Sequence, residues 1–133
     1  MLIKIDDNNT FDNIQKRFNS VFPYLRVEFF KKKLPFPGSG ISIKQPILLL
    51  DKTLTETRTI ISEGTITICP EMTISELEKC FNEIYGLSTQ VLRKSGNIWL
   101  ITTVTDEWTL EEQNRQGEII TQQVNERKLK RSD

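Results

Sequence analysis

The chemistry-bearing residues of this chain are few. Cys69 precedes Pro70 and a helix start near Thr73, and a thiol at a helix N-terminus can be acidified into a nucleophile. Asp106, Glu107, Glu111 and Glu112 surround Trp108; paired carboxylates serve acid/base chemistry or hold Mg²⁺ or Ca²⁺. Lys31, Lys32 and Lys33 follow Phe29 and Phe30, a combination of charge and aromatic surface that could stack and neutralise single-stranded nucleic acid. Each has a simpler reading. No second cysteine stands at CxxC spacing from Cys69, and Cys80 falls on an apolar helical stripe, where cysteine acts as a small hydrophobe. Acidic residues in a first helical turn complement the helix dipole, and the spacing is not that of an EF-hand loop. The three lysines leave the end of a strand and serve equally to solubilise an edge.

Composition narrows the choice. The 133 residues carry 18 Lys+Arg and 18 Asp+Glu, so formal net charge is zero and no global field favours nucleic acid or an anionic membrane. Histidine is absent, which excludes Ser-His and Cys-His catalysis, histidine-based zinc sites and histidine pH switches. Gly38-Ser39-Gly40 follows two prolines and opens no helix, so it is no phosphate loop. The residues assign no catalytic group, metal or cofactor, and they argue against nucleic acid as partner. No apolar run approaches membrane-spanning length, and the N-terminal residues do not read as a signal peptide; the expectation is a cytoplasmic protein.

The elements that must position these residues come in two similar sets. Ile3-Lys4-Ile5, Thr10, Phe11, Ile14, Phe18-Asn19 and Val21-Phe22 match Ile66-Thr67-Ile68, Thr73, Ile74, Leu77, Phe81-Asn82 and Ile84-Tyr85 at an offset of 63 residues. The offset becomes 62 where Leu25 meets Leu87 and Lys31-Lys32 meets Arg93-Lys94. Each set reads as strand, helix, strand, with repeat-like halves at 2–32 and 65–94. Thr10 caps the first helix and Pro23 stops it; Leu25 to Phe30 alternates as a strand. Thr73-Ile74-Ser75-Glu76 is a capping box, and Gly86 suits the left-handed residue ending the second helix. Ser95-Gly96-Asn97 makes a tight turn between strand Thr89–Lys94 and a return strand over Ile98–Thr105. Thr109-Leu110-Glu111-Glu112 opens a third helix interrupted at Gly117. Residues 125–133 read as a frayed tail. Ile47–Leu50 reads as a strand or buried arm, and Asp51–Arg58 as one or two helical turns.

The fold class that follows is α+β. Duplicated βαβ units form a mainly antiparallel, ferredoxin-like sheet with helices on one face, plus a hairpin strand and a C-terminal helix, in one domain over 1–124. A β-grasp-like sheet using residues 47–50 is the alternative. The return strand is apolar on both sides: Ile98, Leu100 and Val104 point one way, Trp99 and Ile101 the other, with Phe30 and Leu92 joining the second group. Either residues 34–64 or the last helix cover that face, or it is an interface with a second copy or a protein partner, anchored by Phe30, Leu92, Trp99 and Ile101.

The stretch from Tyr85 through Leu100 (YGLSTQVLRKSGNIWL), continuing from Thr102 to Asn114 (TTVTDEWTLEEQN), resembles a segment in short uncharacterised proteins of Bacteroidetes-type bacteria, over residues 65–118. The resemblance implies a bacterial, cytoplasmic setting and carries over no activity, cofactor or catalytic residue.

Overall fold

The computed structural model describes residues 2–6, 8–33, 43–46 and 65–131. In chain order these form β1 (Ile3–Ile5), α1 (Phe11–Val21), β2 (Leu25–Lys33), β3 (Ile43–Pro46), β4 (Ile66–Ile68), α2 (Ile74–Tyr85), β5 (Ser88–Ser95), β6 (Ile98–Ile101), a 3₁₀ turn (Thr103–Thr105) and α3 (Leu110–Arg131). The expected elements at 47–50 and 51–58 lie outside the described residues.

Local chemistry sets the two equivalent helices alike. The Thr10 hydroxyl accepts from the Asn13 N–H and the Thr73 hydroxyl from the Glu76 N–H, both at 3.1 Å. Phe11, Ile14 and Phe18 are buried on α1; Ile74, Leu77, Phe81 and Tyr85 are buried on α2. Gly86 takes φ 67°, and its N–H donates to Asn82 O while the Leu87 N–H reaches Phe81 O, closing the last turn. Ile3, Ile5, Ile66 and Ile68 join these helices and Leu25, Val27, Phe29, Leu87 and Val91 in one core cluster. Phe29 stands at its centre, 5.1 Å from both the Phe11 and Phe81 rings. Such tilted and edge-on aromatic pairs add about 0.5–1.5 kcal/mol each beyond burial.

The α+β class stands, with every ladder antiparallel, but the strands are not interleaved into one ferredoxin-like sheet. β1 and β4 pair with each other in a two-stranded sheet, and the order β3-β2-β5-β6 makes a separate four-stranded one. Equivalent strands therefore pair directly. Lys4 lies opposite Thr67 in one ladder and Glu28 opposite Gln90 in the other. Those pairs are 63 and 62 residues apart, the offsets that relate the halves, so exchanging the halves maps each ladder onto itself. The outer strands follow the same rule: β3 pairs with Phe30–Lys33 of β2, and β6 with Leu92–Ser95 of β5, the equivalent stretch.

Two further expectations change. The return strand stops at Ile101 instead of reaching Thr105. There the Thr102 hydroxyl donates to Val91 O at 2.8 Å, taking the place of a ladder bond, and the Thr105 N–H turns back to Thr102 O. The last helix continues to Arg131 instead of giving way to a frayed tail near Asn125. Glu126, Arg127, Lys128 and Lys130 are good helix formers, and basic residues near a helix C-terminus complement its dipole.

Candidate functional site

The β5–β6 hairpin turns on Gly96, whose φ of 67° is the only positive value in the turn, as a Gly-first two-residue turn demands. A two-residue turn makes Ser95–Ile98 a hydrogen-bonded pair, so Arg93–Leu100 is another and Lys94–Trp99 and Leu92–Ile101 are not. The neighbouring bonds agree: the Lys94 N–H donates towards β2, to Tyr24 O at 2.9 Å, while Val91 O faces the β6 side. The backbone N–H and C=O groups of Trp99 and Ile101 consequently point to the free edge of the sheet, where no further strand pairs among the described residues.

Side chains divide with the same alternation. Ile98 and Leu100 share a face with Arg93 and Ser95; Trp99 and Ile101 share the opposite face with Leu92 and Lys94. Ile98, Leu100 and Ile101 are 60, 41 and 65% exposed, and Val104 just beyond them is nearly fully so. The strand thus presents four apolar residues with no charge and no proline, the devices that normally blunt an edge.

Leu92, Trp99 and Ile101 are neighbours. Phe30 points to the same face but is not with them. It lies opposite Ser88, four residues along β5 from Leu92, which is about 13 Å at strand spacing. Sequence alternation identifies the face but not the position along it. Trp99 also borders an open groove of about 310 Å³ whose other walls are Asp12, Gln15, Lys16 and Asn19 of α1 and Arg26 of β2. α1 is held there by side-chain amides: Gln15 donates to Val27 O at 2.9 Å and Asn19 to Leu25 O at 3.0 Å, satisfying carbonyls that face away from β5. Charges lining the groove are largely paired within it or at its rim, Lys16 with Asp12 and Arg26 with Glu28.

The opposite face of β5 is covered by α3 through a polar layer that sequence periodicity gave no sign of. Gln113 is fully buried and receives a bond from Arg93 Nη1 at 3.1 Å while its amide donates to Thr105 O at 2.8 Å. The Arg93 guanidinium lies 5.8 Å from the Trp108 ring centroid. Asn114 Oδ1 accepts from the Tyr24 N–H, and Thr121 Oγ1 from the Gly96 N–H. Gly117 sits where the helix comes closest to Tyr24 and Arg93.

Cys69, on one strand of chain, and Asp106 and Glu107, on another, flank a junction of two helix starts. Thr73 and Thr109 form an antiparallel bridge. The Ile74 and Ser75 N–H groups donate to Trp108 O and Asp106 O; in return the Leu110 and Glu111 N–H groups donate to Met72 O and Pro70 O. Threonine oxygens satisfy the next two amides of each helix. Three of the four amides that a helix start ordinarily leaves unpaired are thus engaged in each helix: Ile74, Ser75 and Glu76 in α2, and Leu110, Glu111 and Glu112 in α3. Asp106 contributes its main-chain carbonyl to this exchange. Among the described residues no group of three or more metal-ligand side chains comes together. Glu112 completes only half a capping box: its N–H donates to Thr109 Oγ1, but its carboxylate turns to Arg115 and Gln116, whose hydrogen bonds hold it below the usual glutamate range. Burial, with Glu83 and Glu76, pushes the Cys80 thiol up. The backbone of Lys31–Lys33 pairs with β3; their side chains lie outside the described residues.

No described helix is long and apolar enough to cross a membrane. Set against known proteins, the chain matches no family model, no curated protein and no solved structure.

Proposed function

We propose that this protein is a non-enzymatic interaction module that receives an extended, uncharged protein strand on the free edge of β6. The edge supplies the backbone groups of Trp99 and Ile101 for hydrogen bonds. Ile98 and Leu100 on one face, and Leu92, Trp99 and Ile101 on the other, supply apolar contact. Main-chain bonding with side-chain pockets on alternate positions is the logic of strand addition. The observation that carries the reading is the exposure of β6 on both faces with no charge or proline to protect it. The halves are read as a duplicated βαββ unit, supported by the two ladders that centre on equivalent residues. The bacterial, cytoplasmic setting belongs to the same proposal.

The test uses fluorescently labelled, lysine-flanked peptides of alternating Val, Ile and Thr, followed by anisotropy. Saturable binding is expected, and Trp99→Asp and Ile101→Lys should each remove it while the far-ultraviolet dichroism stays native. Unfolding of Trp99→Asp would make Trp99 a core residue. Absence of binding to every peptide at several hundred micromolar, by a protein that sediments as a monomer, would end the reading.

A further inference from the structure

The two halves of the fold offer two equivalent outer strands, yet these differ in kind. β3 and β6 pair with equivalent stretches of β2 and β5, so they occupy the two opposite corners of the four-stranded sheet. β3 reads Ile43-Lys44-Gln45-Pro46, with a lysine in the strand and a proline at its end. Both are ordinary guards against edge pairing. β6 reads Ile98-Trp99-Leu100-Ile101, with neither. The sequences diverge at the two positions that the fold makes equivalent, and only one corner keeps its protection.

We infer that the strand β6 receives is β6 of a second copy of this chain, paired antiparallel about a twofold axis at Leu100. The inference rests on the strand-docking reading above and gives it an occupant.

Three observations select this partner. First, the edge groups available are those of Trp99 and Ile101. A twofold centred on Leu100 sets Trp99 opposite the partner's Ile101 and Ile101 opposite the partner's Trp99. These become hydrogen-bonded pairs, and four main-chain bonds join the copies. Second, a strand exposed on both faces needs a partner that is apolar on both faces. β6 is such a strand. Its self-pairing sets Trp against Ile on one side and Leu against Leu on the other, with no like charges opposed. Third, the chain carries no net charge, so two copies meet without long-range repulsion. The exposed set of Ile98, Leu100, Ile101 and the adjoining Val104, doubled by the axis, is on the order of 1,000 Å², the size at which specific interfaces begin. Over the described strands, the product is one continuous antiparallel sheet of eight with the β3 strands at its outer ends.

The register makes the inference testable by cysteine placement. In a Cys69→Ser, Cys80→Ala background, Leu100→Cys puts two thiols at a non-hydrogen-bonded pair across the axis. The Cα separation there is about 4.5 Å, within disulfide range. Trp99→Cys places its two copies about 8 Å apart, beyond that range. Under mild oxidation at micromolar concentration, Leu100→Cys should convert to a disulfide dimer while Trp99→Cys alone does not. A mixture of Trp99→Cys and Ile101→Cys should cross-link. Sedimentation velocity of the unmodified full chain should show a dimer, and Ile101→Lys, at an exposed site, should weaken it roughly tenfold or more with unchanged dichroism. A monomer at 100 µM, or cross-linking of Trp99→Cys in preference to Leu100→Cys, would overturn the inference. A labelled, lysine-flanked peptide of residues 97–102 separates the two ideas. In a protein that sediments as a monomer, binding of the peptide ends self-pairing and leaves strand docking standing, and absence of binding ends both.

Discussion

Replacing Gly117 by alanine reverses the sign that helix propensity alone predicts. In an open helix the substitution is stabilising, because alanine is favoured over glycine by about 0.8–1.0 kcal/mol. Here a Cβ at residue 117 would meet Tyr24 Cβ at 2.8 Å, Arg93 Cγ at 3.1 Å and Tyr24 O at 3.2 Å. Two of these atoms belong to the rigid entrance of β2, one of them the main-chain carbonyl. α3 has to move away from the sheet to make room, which stretches the Asn114–Tyr24 and Thr121–Gly96 bonds that lie one turn to either side. Overpacking of this kind costs about 1–3 kcal/mol. Against the propensity gain the net effect is a destabilisation of about 1 kcal/mol, or roughly 3–5 °C in melting temperature for a chain of this length. Urea denaturation followed by far-ultraviolet dichroism, with the slope checked for constancy, measures it directly. An unchanged or raised midpoint would refute the close approach of α3 to β2 and β5, and with it the account of how that face of the hairpin is covered.

Other outcomes follow from the same structure. Thr73→Ala and Thr109→Ala should each cost about 1 kcal/mol through loss of a helix cap. Because the two threonines bridge one another, their double substitution in urea denaturation should depart from additivity by at least about 0.5 kcal/mol; strict additivity would mean the helix starts act independently. The lowered Glu112 carboxyl contributes stability that is present above its unfolded value and is lost as pH falls through its lower folded value. Arg115→Ala should therefore lower stability slightly at neutral pH, flatten the acid limb below about pH 4.5, and converge with the unmodified protein at low pH, where Glu112 is protonated in both. An unaltered acid limb would show that the Glu112–Arg115 contact is not maintained in solution.

Much of the fold was legible because its determinants are local. The Thr10 and Thr73 caps, the Phe and Ile stripes on α1 and α2, the left-handed Gly86 and the Gly96 turn each depend on residues within a few positions of one another. So does the alternation that sends Trp99 and Ile101 to one side of β6 and Ile98 and Leu100 to the other. Length, zero net charge and the absence of histidine bounded the chemistry in the same way. Which strands pair is not a local matter. Ile3–Ile5 and Ile66–Ile68 carry the same alternation as any short strand, and only the closing of the core around Phe29 brings them together as a separate sheet. The separation of Phe30 from Leu92 follows from ladder register, which two distant segments settle jointly. The junction beside Cys69, Asp106 and Glu107 likewise forms only in three dimensions. The starts of α2 and α3, far apart in sequence, exchange backbone hydrogen bonds there. The edge of β6 shows both sides of the division: its apolar, uncharged composition is written in the chain, but that it is the outer strand of the sheet among the described residues is a property of the packed structure alone.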